Sequence, residues 1–305
     1  MKILKGSFSK AIALITLMAL APLALAKTIT VTHPMGTTTL ETMPERVIVL
    51  GMDSLDVLDH LGIDPIGVVK APMPSYLNKY QADEFKSVGS LFEPDFETIY
   101  SLKPDLIIVS NRSSGSIEEL SKIAPTVLFM VDPQNYWNTT QQSWQMIGQI
   151  FEQEERVNRT IAQQQAQIND IRLKTKVSAP KALTVMSNGG NLSTFGEQSR
   201  YSAIYRLFGF KEASSNIKTS THGDVISFEY IASANPDYLL ILDRDQAIGR
   251  AQGKALAQFD NALINNTNAA RNKNIAHLNS EAWYISASGI TATQIMIDDI
   301  QSVLD

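Results

Sequence analysis

The chain has 305 residues, no cysteine and a formal net charge of −5. Without cysteine it cannot form disulfides, so its stability has to come from packing. An acidic chain of this kind is a poor partner for nucleic acid, and its length suits two domains of ordinary size.

The first residues read "MKILKGSFSKAIALITLMALAPLALAKT". Lys2, Lys5 and Lys10 form a positive start, residues 11–26 are apolar, and Ala24-Leu25-Ala26 is an A-x-A cleavage site. This pattern is a secretory signal peptide over residues 1–26, too short and ending too small for a membrane anchor. No Cys follows it to carry a bacterial lipid. The mature chain is expected to start near Lys27 and to be freely soluble outside the cytoplasm. Removal of the three lysines would leave it at −8. No later segment is apolar for long enough to span a bilayer.

Short apolar runs follow, each strand-like: 46–50, 65–70, 105–110, 126–131, 182–187, 237–243 and 282–286. Helical patterns lie between them at 52–62, 96–103, 116–123, 203–210, 228–235 and 292–304. Continuous apolar strands alternating with helices predict an α/β fold with mainly parallel sheets covered on both faces. The middle is different. From residue 138 to about 176 Gly and Pro are almost absent, and Trp144, Ile147, Ile150, Val157, Ile161, Ile168 and Ile171 recur at helical spacing. The spacing predicts one helix in a first lobe and then a long bridging helix over 153–177. The lobes are expected at 27–152 and 178–305.

The two halves repeat each other. "FETIYSLKPDLIIVSNR" (96–112) aligns without gaps with "FEYIASANPDYLLILDR" (228–244), at an offset of 132. Shared α/β grammar explains the apolar matches. It does not explain a Glu and an Arg at matched ends of both copies. Two pseudo-equivalent lobes facing each other follow from the repeat.

In each copy the Arg follows a parallel strand at its carboxyl end, where open α/β sheets bind ligands. Arg112 and Arg244 therefore point to a shared cleft. A third Arg lies in "GEQSRYSAIYRLFGF" (196–210). There Arg200 is expected at a helix start and Arg206 on an outer face. Three guanidiniums with no carboxylate between them call for an anionic ligand, gripped through fork-like hydrogen bonds or stacked on rings. His222, in the polar loop before 228–235, and Tyr284, expected at a strand end, add one imidazole and one phenol. A phenolate suits a hard trivalent ion, and a bound metal can strip the proton from a phenol.

Taken together, "PERVIVLG", "VGSLFEPDFETIYSLKPDLIIVS", "GEQSRYS", "THGDVISFEYI" and "EAWYISASG", in this order, resemble the periplasmic siderophore-binding proteins of ABC importers, the helical-backbone class, and within it the ferric-catecholate branch. The resemblance implies an arginine triad of Arg112, Arg200 and Arg244 for the negative catecholates. It implies that His222 and Tyr284 complete the coordination of Fe(III) when the siderophore supplies only four oxygens. It implies docking on an inner-membrane ABC permease, with its ATPase, through Glu97 and Glu229, with Glu93 a competitor in the first lobe. The expected protein is a monomer and no enzyme. It has no intrinsic cofactor, its ligand being the ferric siderophore.

Other readings fit less well. A zinc or manganese carrier would want about three His and a carboxylate together, whereas His33, His60 and His277 are scattered. Haem, cobalamin or another siderophore class are nearer alternatives, and three arginines argue against neutral cobalamin. An extracellular hydrolase would need a motif such as G-x-S-x-G or H-E-x-x-H. None is present, although Ser286 and Ser288 lie near Tyr284.

Overall fold

The structure is a computed structural model and describes residues 28–214, 217, 223–250 and 257–305. It opens with an antiparallel hairpin, β1 (Ile29–His33) and β2 (Gly36–Leu40). The first sheet follows, in the order β5-β4-β3-β6-β7. Its strands are β3 (Val47–Val49), β4 (Gly67–Val68), β5 (Lys86–Ser87), β6 (Leu106–Ser110) and β7 (Thr126–Phe129). All its pairings are parallel. Every residue of β3, β6 and β7 is buried, as expected for strands covered on both faces. The covering helices include α1 (Met52–Leu61), α2 (Phe96–Ser101), α3 (Ile117–Leu120) and α4 (Tyr136–Ile150).

The long helix α5 runs over Glu154–Ser178 and stops where Ala179 takes a left-handed turn, φ 45°. It is shared between two cores. Val157 and Ile161 pack into the first, and Ile168 and Ile171 into the second. The C-terminal helix, Ile290–Leu304, does the same. Its Ile290 belongs to the first core, and Met296, Ile297 and Ile300 to the second. Residue 164 ties the two together, Gln164 Nε2 donating to Ile290 O at 3.0 Å.

The second sheet is mixed, in the order β11-β9-β8-β12-β13. It contains β8 (Lys181–Asn188), β9 (Asn191–Phe195), β11 (Asp224–Ile226), β12 (Tyr238–Asp243) and β13 (Ile275–His277). The short β10 (Lys211–Glu212) also pairs with β8. β8 pairs in parallel with β12, and β12 with β13. β9 lies antiparallel to β8 and to β11. The antiparallel hairpin has its cause in Gly189 and Gly190, both at positive φ, which allow a two-residue turn that other residues resist. Helices α6 (Phe228–Ala234) and α7 (Arg244–Ala247) flank β12.

The internal repeat has a structural basis. α2 and α6 are capped by residues 132 apart. Asp95 accepts from Thr98 N at 3.0 Å and Ser227 from Tyr230 N at 3.4 Å. Both units leave their helix through a left-handed residue, Lys103 (φ 48°) and Asn235 (φ 42°). The matched aspartates then pin the start of the neighbouring strand. Asp105 accepts from Glu45 N and Arg46 N, both at 2.8 Å, and Asp237 accepts from Lys181 N at 3.0 Å. The "PD" pair is thus a strand-alignment device in both halves.

Two expectations need correction. Residues 282–286 do not form a strand; Ser280–Tyr284 is a helix. Asn279 caps it by accepting from Ala282 N at 3.0 Å, and the Trp283 indole donates to Asp299 at 2.8 Å. An apolar run this short carries no period that separates strand from helix. The helical stretch 203–210 is a single wide turn, Ala203–Leu207, with π-type pairing.

Candidate functional site

The strands deliver the arginines. β6 ends at Ser110, and Arg112 follows in a 3₁₀ turn over Asn111–Ser116. The Ser110 hydroxyl donates to Leu50 O at 3.0 Å and holds that strand end against the first loop. β12 ends at Asp243, whose buried carboxylate accepts from Gln246 N at 3.1 Å and caps α7. Arg244 is the first residue of that helix. Arg200 lies in the turn before the helical residues 203–207. Ser199 shapes this turn, its hydroxyl donating to Gly196 O at 2.7 Å and accepting from Tyr201 N at 3.1 Å.

The arginines meet at Tyr284. Arg244 Nε donates to the Tyr284 hydroxyl at 2.8 Å, and Arg200 Nη2 donates to the Tyr284 carbonyl at 2.8 Å. The Arg200 and Arg244 Cζ atoms sit 4.5 and 5.6 Å from the Tyr284 ring centre. Arg112 belongs to the same electrostatic group. Burial, and then the charge of Arg200, pull its guanidinium below the ordinary value. Burial pushes the Tyr284 phenol up, but the Arg244 hydrogen bond and the charges of Arg200, Arg244 and Arg112 outweigh it, leaving a net lowering. Among the described residues none of the three arginines is ion-paired with a carboxylate. Three cations held together repel one another, offset in part by the Asp53 carboxyl acting on Arg112, and a bound anion would relieve the rest.

Two lining residues escape sequence reasoning. Asn188 accepts from Arg244 Nη1 at 3.0 Å. It ends β8, so the carboxyl-end rule could have found it. Phe92 lies with its ring centre 5.4 Å from the Arg112 Cζ atom. Its only signal is a large apolar residue inside a turn-rich stretch.

Behind Tyr284, residues 281–292 are fastened to the first lobe. Asp56 is fully buried on α1. Its carboxylate accepts from Thr291 N (2.7 Å), Ala292 N (2.9 Å) and the Tyr76 hydroxyl (2.7 Å). The Tyr76 hydroxyl also lies 2.8 Å from the Ser286 hydroxyl. Ser288 Oγ donates to Asp53 at 3.2 Å, and Ser75 donates to Glu281 through both N–H (2.8 Å) and hydroxyl (2.9 Å). Ser286 and Ser288 are thus engaged in holding the lobes together.

His222 lies outside the described residues. Among the described residues no three His, Cys, Asp or Glu side chains are grouped to hold a metal. Glu97 and Glu229 are both exposed, each in the first turn of its helix, α2 and α6. The Ser227 hydroxyl holds the Glu229 carboxyl below its ordinary value. Glu93 is exposed one turn earlier in the chain. A cavity of about 550 Å³ between β1 and α4 is lined by residues such as Thr32, Met130 and Gln142 and by none of the arginines.

The chain is similar to several known proteins. The petrobactin-binding protein YclQ of Bacillus subtilis is 40% identical over 264 residues, 86% of this chain and 83% of YclQ. The ferric-anguibactin-binding protein FatB of Vibrio anguillarum is 36% identical over 280 residues, 89% of this chain and 86% of FatB. Among solved structures, the periplasmic catecholate-siderophore binding protein VctP of Vibrio cholerae superposes with a TM-score of 0.87 at 46% identity, covering 90% of this chain and 100% of VctP. The family model described as periplasmic binding protein matches residues 47–282. The chain belongs to the periplasmic binding protein family.

Proposed function

We propose that this protein captures ferric siderophores of the catecholate class in a cleft between its lobes and delivers them to an inner-membrane ABC permease. One observation carries the reading: Arg200 and Arg244 hold Tyr284 from two separate elements, Arg112 joins them electrostatically from a third, and among the described residues none of the three is ion-paired with a carboxylate. A ferric tris-catecholate is trianionic with an aromatic exterior. Three guanidiniums balance that charge and can lie against its rings. The ligands named for YclQ, FatB and VctP support a siderophore, and that of VctP supports a catecholate.

Tyr284, with its phenol already biased toward the anion, is an Fe(III) ligand in this reading when the siderophore leaves two positions open. His222 is the second. Glu97 and Glu229 are the docking carboxylates for the permease, one per lobe. Residues 27–152 and 178–305 are the lobes, with 153–177 between them. The mature protein is a periplasmic monomer of a Gram-negative cell after cleavage near Ala26. Fluorescence-quenching titration against a panel of ferric siderophores tests the reading. Catecholate complexes should bind tightest, and failure of all catecholates would refute it.

A further inference from the structure

We infer that Phe92 is a specificity-determining wall of the ligand site, one that stacks on an aromatic ring of the bound chelate beside Arg112. The inference rests on the catecholate reading and adds a residue that selects for it.

The turn that carries Phe92 is tightly built. Gly89 and Pro94 pair across it, and Ser90 N donates to Glu93 O at 2.9 Å. The Ser90 hydroxyl accepts from Phe92 N (3.3 Å) and Glu93 N (3.0 Å). Gly89 is at φ 104°, and a Cβ there would lie 2.4 Å from Glu93 O. No other residue fits that corner without moving the turn. The chain thus holds Phe92 in place by backbone geometry, not by burying it. The side chain is 63% exposed.

A single exposed Phe is ordinary. This one differs in its neighbour. The Arg112 Cζ lies 5.4 Å from its ring centre, within the range of a cation–π contact. The ring therefore steadies a guanidinium that belongs to the Tyr284 cluster, and much of its surface remains uncovered. A ligand that meets Arg112 from the cleft lies beside this surface. A flat electron-rich ring gains from stacking there, by about 0.5–1.5 kcal/mol for an aromatic pair. An aliphatic chelate gains little.

The test uses the mature protein and a hexadentate ferric tris-catecholate in fluorescence-quenching titrations of wild type, Phe92→Leu and Phe92→Tyr. Leu keeps the apolar bulk and removes the ring, while Tyr keeps the ring. The stacking energy above corresponds to about 2- to 12-fold in Kd. Phe92→Leu is expected to bind about 3- to 10-fold more weakly, and Phe92→Tyr to stay within about two-fold of wild type. All three should melt together, since the side chain is exposed. Leu binding as well as wild type, or Tyr as weakly as Leu, overturns the role of Phe92 and leaves the catecholate reading intact. Absence of binding by the wild type overturns both.

Discussion

Arg244 and Arg200 hold Tyr284 at both ends, one at its hydroxyl and the other at its carbonyl, each at 2.8 Å. The phenol oxygen is therefore aimed by the same cations that would bind the ligand's charge. Replacing Tyr284 by Phe removes the acceptor of Arg244 and the candidate iron ligand, but keeps the ring. Binding of tetradentate ferric catecholates should fall at least about ten-fold more than binding of hexadentate ones, which fill the iron's coordination themselves. Parallel titrations check this, and equal losses would count against coordination by Tyr284.

Arg200 and Arg244 are not expected to tolerate lysine. Each makes a directed hydrogen bond and also faces the Tyr284 ring. A lysine keeps the charge but loses the planar fork. Arg200→Lys and Arg244→Lys should each weaken ferric catecholate binding by about 10- to 100-fold, on the scale of ~1.5–3 kcal/mol for a hydrogen bond to a charged group. Full affinity in the lysine variants would show that only net charge matters. Rising salt should weaken the wild type too.

Asp56 gives a pH dependence of unusual sign. Burial, the largest influence, raises its carboxyl to about 6 despite the hydrogen bonds from Tyr76, Thr291 and Ala292. The ordinary value, 3.8, applies in the unfolded chain. The folded state therefore favours the protonated form. Ionisation costs nothing below pH ~4, and its cost is fully present above pH ~6. The difference of about two units corresponds to about 3 kcal/mol. The stability of wild type relative to Asp56→Asn should fall by about that amount between pH 4 and 7, measured by denaturant unfolding. A difference that is flat or rises with pH would refute the assignment.

Gly289 and Asp56 are expected to be coupled. A Cβ on Gly289 would come within 2.3 Å of the Asp56 carboxyl carbon, although the backbone there, at φ −73°, suits any residue. Space, not conformation, makes the glycine necessary. Gly289→Ala should destabilise by about 1–3 kcal/mol as overpacking does. Its cost should shrink in an Asp56→Gly background, because the Asp56 Cβ would also lie 2.5 Å from the added carbon. A double-mutant cycle measures the coupling, and strict additivity would show that the two sites are independent.

Glu97→Ala with Glu229→Ala is expected to leave siderophore affinity unchanged and to reduce uptake in cells. Both carboxylates are exposed, each in the first turn of its helix. Normal uptake by the double variant would remove the docking role.

The readability of the sequence varied with the distance over which its causes act. β6 and β12 were legible because each is a buried apolar run closed by an alignment device, Asp105 or Asp237, only one residue before it. Arg112 and Arg244 then followed from the repeat. The Tyr284 helix was not legible, since its identity rests on the Asn279 cap and on Asp299 beyond it. Asp56 looked like any acidic residue of an amphipathic helix. The groups that bury it, Thr291 and Ala292, lie 235 and 236 residues away. Phe92 was hidden for a similar reason, because its meaning comes from Arg112, twenty residues later and on another element. His222 remains a sequence-level assignment.

Two helices, α5 and the last one, each place side chains in both cores. A frame braced by two such struts works as a caliper set to one gap, not as a pair of jaws. Its empty and loaded forms should then share nearly the same outline, which small-angle scattering with and without ligand would measure. In the proposed role, an unloaded protein would compete with a loaded one for the permease, and iron flux would depend on the ratio of the two as well as on how tightly the siderophore is held.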